Sequence, residues 1–346
     1  MAQEPLNERE RRILEAVIQT YVETAEPAGS RTLSRRFHLG VSPATIRNTM
    51  SDLEEKGYLF HPHTSAGRVP TDMAYRMYVD ELMRVSPVAA EATERLLGEL
   101  ASGGAAIEQI LRRAAQMLGV LTHELGVALG PRLEELVLER LELIRLSEER
   151  LLLVLRLRGG AAHTIFVEAP GAIAETALAS VAFVLNERLG GLTVREIRAT
   201  LPDRLRDSTT TDEARELLNI FIQEGDQLFD VSVALSPDVL LGQTSVLVEQ
   251  PEFADSEAMR TLLALTDRPQ ELGDLLRRRT ARPGISITIG SEHSEPTLSR
   301  FTVVTAEYRM GGLAGVIGVI GPTRMPYDKV VSLVTHTSRL ITELLY

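Results

Sequence analysis

Residues 31–71 read RTLSRRFHLGVSPATIRNTMSDLEEKGYLFHPHTSAGRVPT, and this stretch decides how the N-terminal part of the chain folds. Between Pro27 and Ser51 there is no Asp or Glu, while four arginines occur there, at positions 31, 35, 36 and 47. The whole protein carries a net charge of −11, so this run is a local reversal of sign. A surface of that kind attracts phosphate groups.

The pattern within this stretch predicts two helices joined by a tight turn. Ser30 is suited to cap a short helix over Arg31–Phe37, and the turn that follows contains a glycine. Ser42 caps a second helix, and Pro43 falls at its first position, where a missing N–H costs nothing. Gly57 ends this second helix. Two helices in this arrangement are typical of a helix-turn-helix.

The second helix has one apolar face and one polar face. Ile46, Met50 and Leu53 form the apolar stripe. The opposite face carries short or polar side chains, namely Ala44, Thr45, Arg47, Asn48 and Ser51. Arg and Asn are suited to bidentate contacts with guanine and adenine in a major groove. We therefore predict that Thr45, Arg47, Asn48 and Ser51 read bases, and we group Ser42, at the start of the same helix, with these DNA-contacting residues.

The segment after Gly57 predicts a wing beside the two helices. Tyr58–His61 and Arg68–Pro70 read as short strands on either side of a turn. Side chains at and beside the tip of that turn can meet phosphates or a minor groove, and these are His63, Thr64, Ser65 and Arg68. Arg31 and Arg35 are expected to hold the DNA backbone as well. The alternative is a small helical domain that does not bind DNA, since such domains also have capped helices and exposed arginines.

Three strings of residues resemble a known family. Pro62–Asp72, PHTSAGRVPTD, followed by Tyr75-Arg76 and Tyr78-Val79-Asp80, closely resembles the wing and following helix of the HrcA family of bacterial heat-inducible transcription repressors. Ser42–Asn48, SPATIRN, resembles the recognition helix of that family. Leu185–Ile197, LNERLGGLTVREI, resembles a further stretch of it.

This resemblance implies a function and its partners. It implies a homodimer that binds an inverted-repeat operator of the CIRCE type in double-stranded DNA, upstream of the chaperone operons of the GroE and DnaK systems. It also implies that heat lowers repressor activity and that a chaperonin of the GroE type restores it. A GAF-like fold for the sheet domain, and a subdomain inserted into it that contributes to dimer contacts, follow from the same resemblance.

Composition narrows the class of protein. A chain of 346 residues is long enough for two or three domains. No apolar run approaches the roughly 20 residues of a membrane helix, and the charged N-terminus does not read as a signal peptide, so we expect a cytoplasmic protein without a membrane partner. There is no Cys, and the seven His show no paired metal-binding spacing, so no metal or cofactor is expected.

Hydrophobic periodicity along the chain predicts an α+β multidomain protein. After the N-terminal winged helix-turn-helix come helices, an antiparallel meander at about 137–168, more helices, and strands that return after 284. The expected division is a winged-helix DNA-binding domain at 1–84, a helical linker arm at 85–130, a GAF-like antiparallel sheet domain with flanking helices at 131–202 and 284–346, and an inserted dimerisation subdomain at 203–283.

Two other functions are compatible with the same N-terminal residues. One is a ligand-responsive regulator whose sheet domain binds a metabolite. The other is an enzyme with a DNA-binding appendage, although no convergent acid/base or metal signature supports it. The spaced glycines at 312–318 match no nucleotide-binding motif, and we interpret them as close approaches between strands. The Ser, His and Glu residues at 291–295 are neighbours on one loop and do not make a catalytic triad.

Overall fold

The structure, a computed structural model, describes residues 5–62, 67–101, 107–158, 162–169, 171, 173–206, 211–229, 239–254, 256–280, 284–310 and 313–345. The chain divides into two compact units. The first comprises Met1–Ala128, Val239–Glu307 and Val316–Leu340, and the second comprises Leu129–Asp238, Tyr308–Gly315 and Ile341–Tyr346.

The described chain contains thirteen α-helices and ten strands. The α-helices are α1 (Glu8–Thr24), α2 (Ser30–Arg36), α3 (Pro43–Glu55), α4 (Asp72–Met77), α5 (Ala90–Ala101), α6 (Ile107–Thr122), α7 (Glu175–Leu189), α8 (Val194–Leu205), α9 (Asp212–Leu228), α10 (Ser245–Val248), α11 (Ser256–Thr266), α12 (Pro269–Thr280) and α13 (Tyr327–Leu344). The strands are β1 (Leu59–Phe60), β2 (Val69–Pro70), β3 (Leu125–Leu129), β4 (Leu138–Arg145), β5 (Arg150–Leu157), β6 (Ala162–Glu168), β7 (Val239–Leu241), β8 (Ile285–Ile289), β9 (Phe301–Met310) and β10 (Leu313–Pro322).

The strands form three separate sheets. β1 and β2 pair antiparallel, a five-stranded sheet has the order β7-β3-β10-β9-β8, and a three-stranded sheet has the order β4-β5-β6. Both pairings in the three-stranded sheet are antiparallel, and so is the pairing of β8 with β9. The mixture of helices with several antiparallel sheets is the α+β multidomain class that the periodicity predicts.

The N-terminal part of the first unit, residues 5–82, is called the head below. Its helices α1, α2 and α3 share a core in which Leu14, Val17, Leu33, Ile46 and Leu53 are buried. A capping box stands at the start of α1, with Glu10 N donating to Asn7 Oδ1 at 3.0 Å and Asn7 N donating to Glu10 Oε2 at 2.9 Å. Local sequence signals therefore place these helices to within a residue. The predicted cap of α2 is wrong, because Ser30 is the first residue inside the helix and is buried, and the N-cap is Gly29, which makes no side-chain cap hydrogen bond.

The rest of the head follows the predicted pattern with one difference. The two short strands expected around a turn are β1 and β2, with Leu59 opposite Pro70 and Phe60 opposite Val69. The helix expected after the wing begins as α4 and continues as a π-helical turn, Tyr78–Leu82. In this turn Met83 N donates to the Tyr78 carbonyl at 2.8 Å, five residues back.

The second unit is built on the predicted meander. The inward side chains of β4 and β5, such as Leu141 and Leu153, are buried in one core with Leu185 of α7 and Phe221 of α9. Asn186 of α7 fixes the helix to β4, because its side chain accepts from Leu141 N at 2.8 Å and donates to the Leu141 carbonyl at 2.7 Å. Helices α7, α8 and α9 pack on one another.

This division of the chain differs from the one expected from the sequence. The meander at 138–168 forms its own sheet instead of joining β8, β9 and β10, so residues 131–202 and 284–346 do not share one sheet. Helix α9 belongs to the second unit, whereas α10, α11 and α12 belong to the first. The first unit is interrupted by a long segment, Leu129–Asp238, and by a short one, Tyr308–Gly315, where the sequence division placed one insert at 203–283. Periodicity shows which residues are buried but not which core they share.

Of the residues expected to form a linker arm, 85–130, those that the structure describes up to Ala128 belong to the first unit. Helices α5 and α6 contact each other, and α6 also contacts β7. Ile110, Leu111 and Leu118 of α6 are buried. These helices are therefore part of a folded core.

The glycine-rich strand β10 lies inside the five-stranded sheet, between β3 and β9. A Cβ on Gly318 would lie 2.1 Å from the carbonyl oxygen of Val304 in β9. Only a glycine allows this contact, because no side chain fits between backbones that are so close. At Gly318 the interpretation as a close approach between strands is confirmed, while Gly312 lies outside the described residues.

Candidate nucleic-acid interface

The position of α3 is fixed by contacts at both of its ends. At its start, Thr45 N donates to Ser42 Oγ at 3.1 Å, and Pro43 occupies the first turn. At its end, Lys56 Nζ lies 2.8 Å from Glu10 Oε1 of α1. Burial raises the pKa of the Glu10 carboxyl, but the hydrogen bonds from Lys56 and from Asn7 N more than offset this, and the pKa lies below its ordinary value. The helix is thus held firmly on α1.

The predicted base-reading residues lie on the outward side of α3. Ile46, Thr49, Met50 and Leu53 are buried, which turns the opposite face outward. Arg47 and Asn48 are exposed there, while Thr45 and Ser51 are half-buried. Ser42 is exposed, and its hydroxyl is also 2.9 Å from the Thr45 hydroxyl. The first turns of α3 therefore present Arg47 and Asn48 to any partner that approaches this face.

Three arginines converge beside this face. A concavity of about 400 Å³ is lined by Ala28, Gly29, Ser30, Arg31, Arg47, Met50, Gly67 and Arg68. The arginines come from α2, from α3 and from the segment before β2, so the concavity joins all three elements. Arg31 and Arg47 are exposed, and no acidic side chain within the described residues forms an ion pair with either of them. This concavity, together with the outward face of α3, is called the basic cleft below.

Arg68 is held differently from the other two arginines. Its side chain is only 17% exposed, and its Nη2 lies 2.8 Å from Glu54 Oε2 on α3. Its Nε is buried and has no hydrogen-bond partner within the described part of the chain. Arg68 therefore lines the basic cleft with part of its charge already matched by a carboxylate, and a contact with phosphate requires that it share or leave Glu54.

The remaining predicted backbone contacts are placed only in part. Arg35 lies four residues after Arg31 on α2, and so on the same side of that helix, and it is exposed. Its neighbour Arg36 is paired with Glu23 of α1. His63, Thr64 and Ser65, at the expected wing tip, lie outside the described residues.

Sequence reasoning missed the wall of the cleft formed by residues 28–30. Ala28 and Arg68 form an isolated antiparallel bridge, with hydrogen bonds of 2.9 Å in both directions. This bridge ties the segment before α2 to the base of the β1–β2 turn. The two residues are 40 positions apart by their numbers in the sequence, and no local pattern signals their pairing.

An ion pair holds the polar loop 291–295. Glu292 is ion-paired to Arg76, with Nη2 to Oε2 at 2.5 Å. Across the described ranges, no group of three or more His, Asp or Glu residues could hold a metal ion. The helices that the structure describes include none long and apolar enough to cross a membrane.

Comparison with known proteins defines the class and then the family. The heat-inducible transcription repressor HrcA of Chlorobium phaeobacteroides (strain BS1) is 40% identical over 341 residues, which cover 96% of each chain. The protein of the same name from Geobacter sulfurreducens is 38% identical over 341 residues, with 98% of each chain covered. The chain is thus related over nearly its full length to transcription repressors.

A family model supports the same assignment. The model described as the HrcA protein C terminal domain matches residues 108–331. The chain therefore belongs to the HrcA family. A crystal structure at 2.2 Å resolution of a protein called hypothetical covers 99% of both chains with a TM-score of 0.67 and 22% identity, which shows that the fold is shared.

Proposed function

We propose that the chain is a dimeric repressor of chaperone operons, in which two winged-helix heads bind the half-sites of a CIRCE-type inverted repeat. The convergence of Arg31, Arg47 and Arg68 on one cleft is the main support, since the chain as a whole has a net charge of −11. A cleft of opposite sign on an acidic protein gives DNA one favoured place to bind.

Roles within the basic cleft follow from exposure and residue type. Arg47, Asn48, Thr45 and Ser51 read base edges from the first turns of α3, and Ser42 holds that end of the helix. Arg31 and Arg35 contact the DNA backbone, together with Arg68 and the wing-tip residues His63, Thr64 and Ser65. A two-fold homodimer then matches an inverted repeat, because each head reads one half-site.

The proposed regulation of operator binding follows that of the HrcA family. The operons are those of the GroE and DnaK systems, heat lowers occupancy of the operator, and a chaperonin of the GroE type restores it. The five-stranded sheet is proposed to be GAF-like, and the long segment that interrupts the first unit, Leu129–Asp238, is proposed to contribute the dimer contacts. The repressor would act in the cytoplasm, where the bacterial chromosome lies.

The first experiment compares binding to a CIRCE-like inverted repeat, to one half-site and to a scrambled duplex at one stated salt concentration. Arg47→Ala is expected to weaken binding to the full repeat by about 1–3 kcal/mol for each head, because a bidentate base contact is lost. The matched control is Arg9→Ala, which removes an exposed positive charge from α1 outside the basic cleft. Equal affinity of the wild-type protein for all three duplexes would overturn the proposed operator.

A second function, regulation by a small ligand, is supported by one cavity. A groove of about 370 Å³ in the first unit is lined by Ser86, Pro87, Val88, Ala89, Glu91, Ala92, Arg95, Leu121, Lys329, Ser332 and Leu333. This volume lies within the range of small-molecule sites. A reproducible rise in melting temperature with one compound, lost when Leu333 is replaced by a larger residue, would favour this function.

A further inference from the structure

The head is fastened to the five-stranded sheet by a bidentate ion pair from α4. Arg76 Nε and Nη2 donate to Glu292 Oε1 and Oε2 at 2.7 and 2.5 Å, and Nη2 also donates to the Ile287 carbonyl at 2.8 Å. Glu292 is oriented for this pairing because its Oε2 accepts from Ile289 N at 2.8 Å. Burial raises the pKa of Glu292, yet the bonds from Arg76 and Ile289 N bring it below its ordinary value. A planar, two-pronged contact of this kind fixes direction as well as distance.

The turn after β8 is shaped to receive a second side chain of α4. Ser291 N donates to Asp72 Oδ2 at 2.8 Å. Gly290 has a φ of +47°, and a Cβ on it would lie 2.3 Å from that same carboxylate oxygen. The glycine is therefore needed both for the backbone conformation and for the approach of Asp72.

A separate contact fastens the end of α1. Arg324, which precedes α13, donates from Nη1 to the Val22 carbonyl at 2.7 Å and from Nη2 to Glu252 Oε2 at 2.9 Å. Its side chain is 14% exposed. The last turn of α1 has no basic residue of its own, so Arg324 supplies the cation that a helix C-terminus favours.

Between these two fastenings lies an aromatic contact. Tyr75 of α4 is 2% exposed, and its ring centroid is 5.6 Å from that of Tyr327 at the start of α13. Contacts from α1 and from α4 to different parts of the sheet region stop the head from rotating about a single point. We call these contacts, made by Asp72, Tyr75, Arg76 and Arg324, the head joint.

We infer that Asp72, Arg76 and Arg324 are positioning residues that set which half-site spacing the repressor accepts. This inference rests on the proposed function, because spacing has meaning only when two heads read one operator. With the head joint intact, the orientation of each basic cleft is fixed, so two clefts fit one separation of half-sites. The accepted spacing between half-sites is therefore set by residues that do not contact the bases.

The chain around the joint explains what happens when it is broken. Residues 83–89, which connect the head to α5, form no helix or strand. Ser86 in this segment is hydrogen-bonded to Asp328 and Ser332 of α13, at 3.2 and 2.5 Å. Without the head joint, residues 83–85 are a short tether between the head and this attachment, and a head on a tether reaches half-sites over a range of separations. A flexible tether also lowers the effective concentration of the second head at the best separation of half-sites. Affinity for the best repeat then falls while tolerance of other spacings rises.

The test uses the full-length protein and a series of inverted repeats whose spacer changes by one base pair over a full helical turn. Glu292→Gln, Arg76→Gln and Arg324→Gln are compared with wild type. Each variant is expected to bind the best repeat about tenfold more weakly and to discriminate less between spacers. Affinity for one isolated half-site is expected to stay within about twofold, because the basic cleft is untouched.

The matched control is Arg95→Gln, which breaks an exposed ion pair with Glu91 on α5 away from the head joint. Its spacer profile should equal that of wild type. Glu292→Gln is the mildest variant, since its amide oxygen can still accept from Ile289 N, and it keeps the test usable if Arg76→Gln unfolds.

A second measurement needs no DNA. The chain has no cysteine, so Arg9→Cys in the head and Arg339→Cys on α13, both exposed, can carry a pair of spin labels. Their distance distribution should be narrow in the parent protein and in the Arg95→Gln control, and broad in the head-joint variants.

The outcomes separate the inference from the proposed function. Sharp spacer profiles and narrow distances in all joint variants would overturn the inference alone. A parallel loss of half-site affinity would show that the joint merely supports folding of the head, which also overturns it. A wild-type protein that prefers no inverted repeat to a half-site would instead overturn the proposed function.

Discussion

At the scale of single residues, equal charges have different roles according to their surroundings. Arg47 is exposed on α3, whereas Arg68 is largely covered and paired with Glu54. Arg76 and Arg324 face carboxylates and backbone carbonyls inside the first unit. An arginine in the sequence of this Arg-rich chain is therefore not evidence of DNA contact by itself, and exposure decides which ones can reach a phosphate.

Glu124 is the residue whose titration has the clearest consequence for stability. It is 2% exposed, and burial raises its pKa well above the ordinary value, although a hydrogen bond from Gln250 and the charge of Arg324 act in the other direction. The folded state thus binds this proton more tightly than the unfolded state does. Its contribution to stability is full below the unfolded pKa of about 4.3 and is lost as pH rises through the folded pKa.

We therefore expect Glu124→Gln to be more stable than wild type at neutral pH. The amide resembles the protonated acid in shape but carries no cost of ionisation in a buried place. The difference in the free energy of unfolding between the variant and wild type should shrink towards pH 4, where Glu124 is largely protonated in both the folded and the unfolded protein. Urea unfolding at pH 4, 6 and 8 measures this, and a variant less stable than wild type at pH 8 would contradict it.

At the scale of elements, N-terminal caps fix where individual helices begin, including the helix that lines the basic cleft. Ser42 begins α3, Thr71 begins α4 and Thr211 begins α9, each by accepting a hydrogen bond from a backbone N–H three residues on. Only the first of these caps orders the turn that carries Arg47 and Asn48. The same local device is therefore proposed to serve DNA binding at one helix and folding alone at another.

Ser42→Ala is expected to lower the free energy of unfolding by about 1 kcal/mol through the lost cap. It should also weaken binding to the operator, because the first turn of α3 frays and Arg47 and Asn48 lose their fixed positions. Thr211→Ala is the matched control, since it removes the cap of α9 in the second unit. The control should lose similar stability and keep full affinity, and equal affinity in both variants would count against a role for this turn in base reading.

At the scale of the whole molecule, heat sensitivity is proposed to arise from dimerisation. Binding to two half-sites requires two subunits, so operator occupancy depends on protein concentration and on the stability of the dimer interface. A modest loss of dimer stability on warming then gives a large loss of occupancy. Such a mechanism needs no ligand and no covalent change in the protein.

On warming, dimer dissociation and release of the operator should occur over the same temperature range. The midpoint should rise with protein concentration, as mass action requires for a dissociating dimer. Analytical ultracentrifugation and fluorescence anisotropy on the same samples, with and without chaperonin, measure the two processes. Dimers that remain intact and bound above the heat-shock temperature without chaperonin would exclude this mechanism.

The sequence by itself determined the parts that depend on neighbours along the chain. The helices α1 to α4, their caps at Asn7, Ser42 and Thr71, the short strands β1 and β2, and the meander β4 to β6 all follow from periodicity and capping chemistry. The exposed, polar face of α3 follows as well, because its buried face is fixed by the spacing of Ile46, Met50 and Leu53.

Tertiary structure decided what distant residues do to one another. It assigned the meander and α9 to a unit of their own, paired Arg68 with Glu54, bridged Ala28 to Arg68, and joined Arg76 to Glu292 across 216 positions of sequence. Local patterns record whether a residue is buried or exposed, and they record the turn it caps. They do not record which of many apolar faces or opposite charges meet, because that choice minimises the free energy of the whole fold.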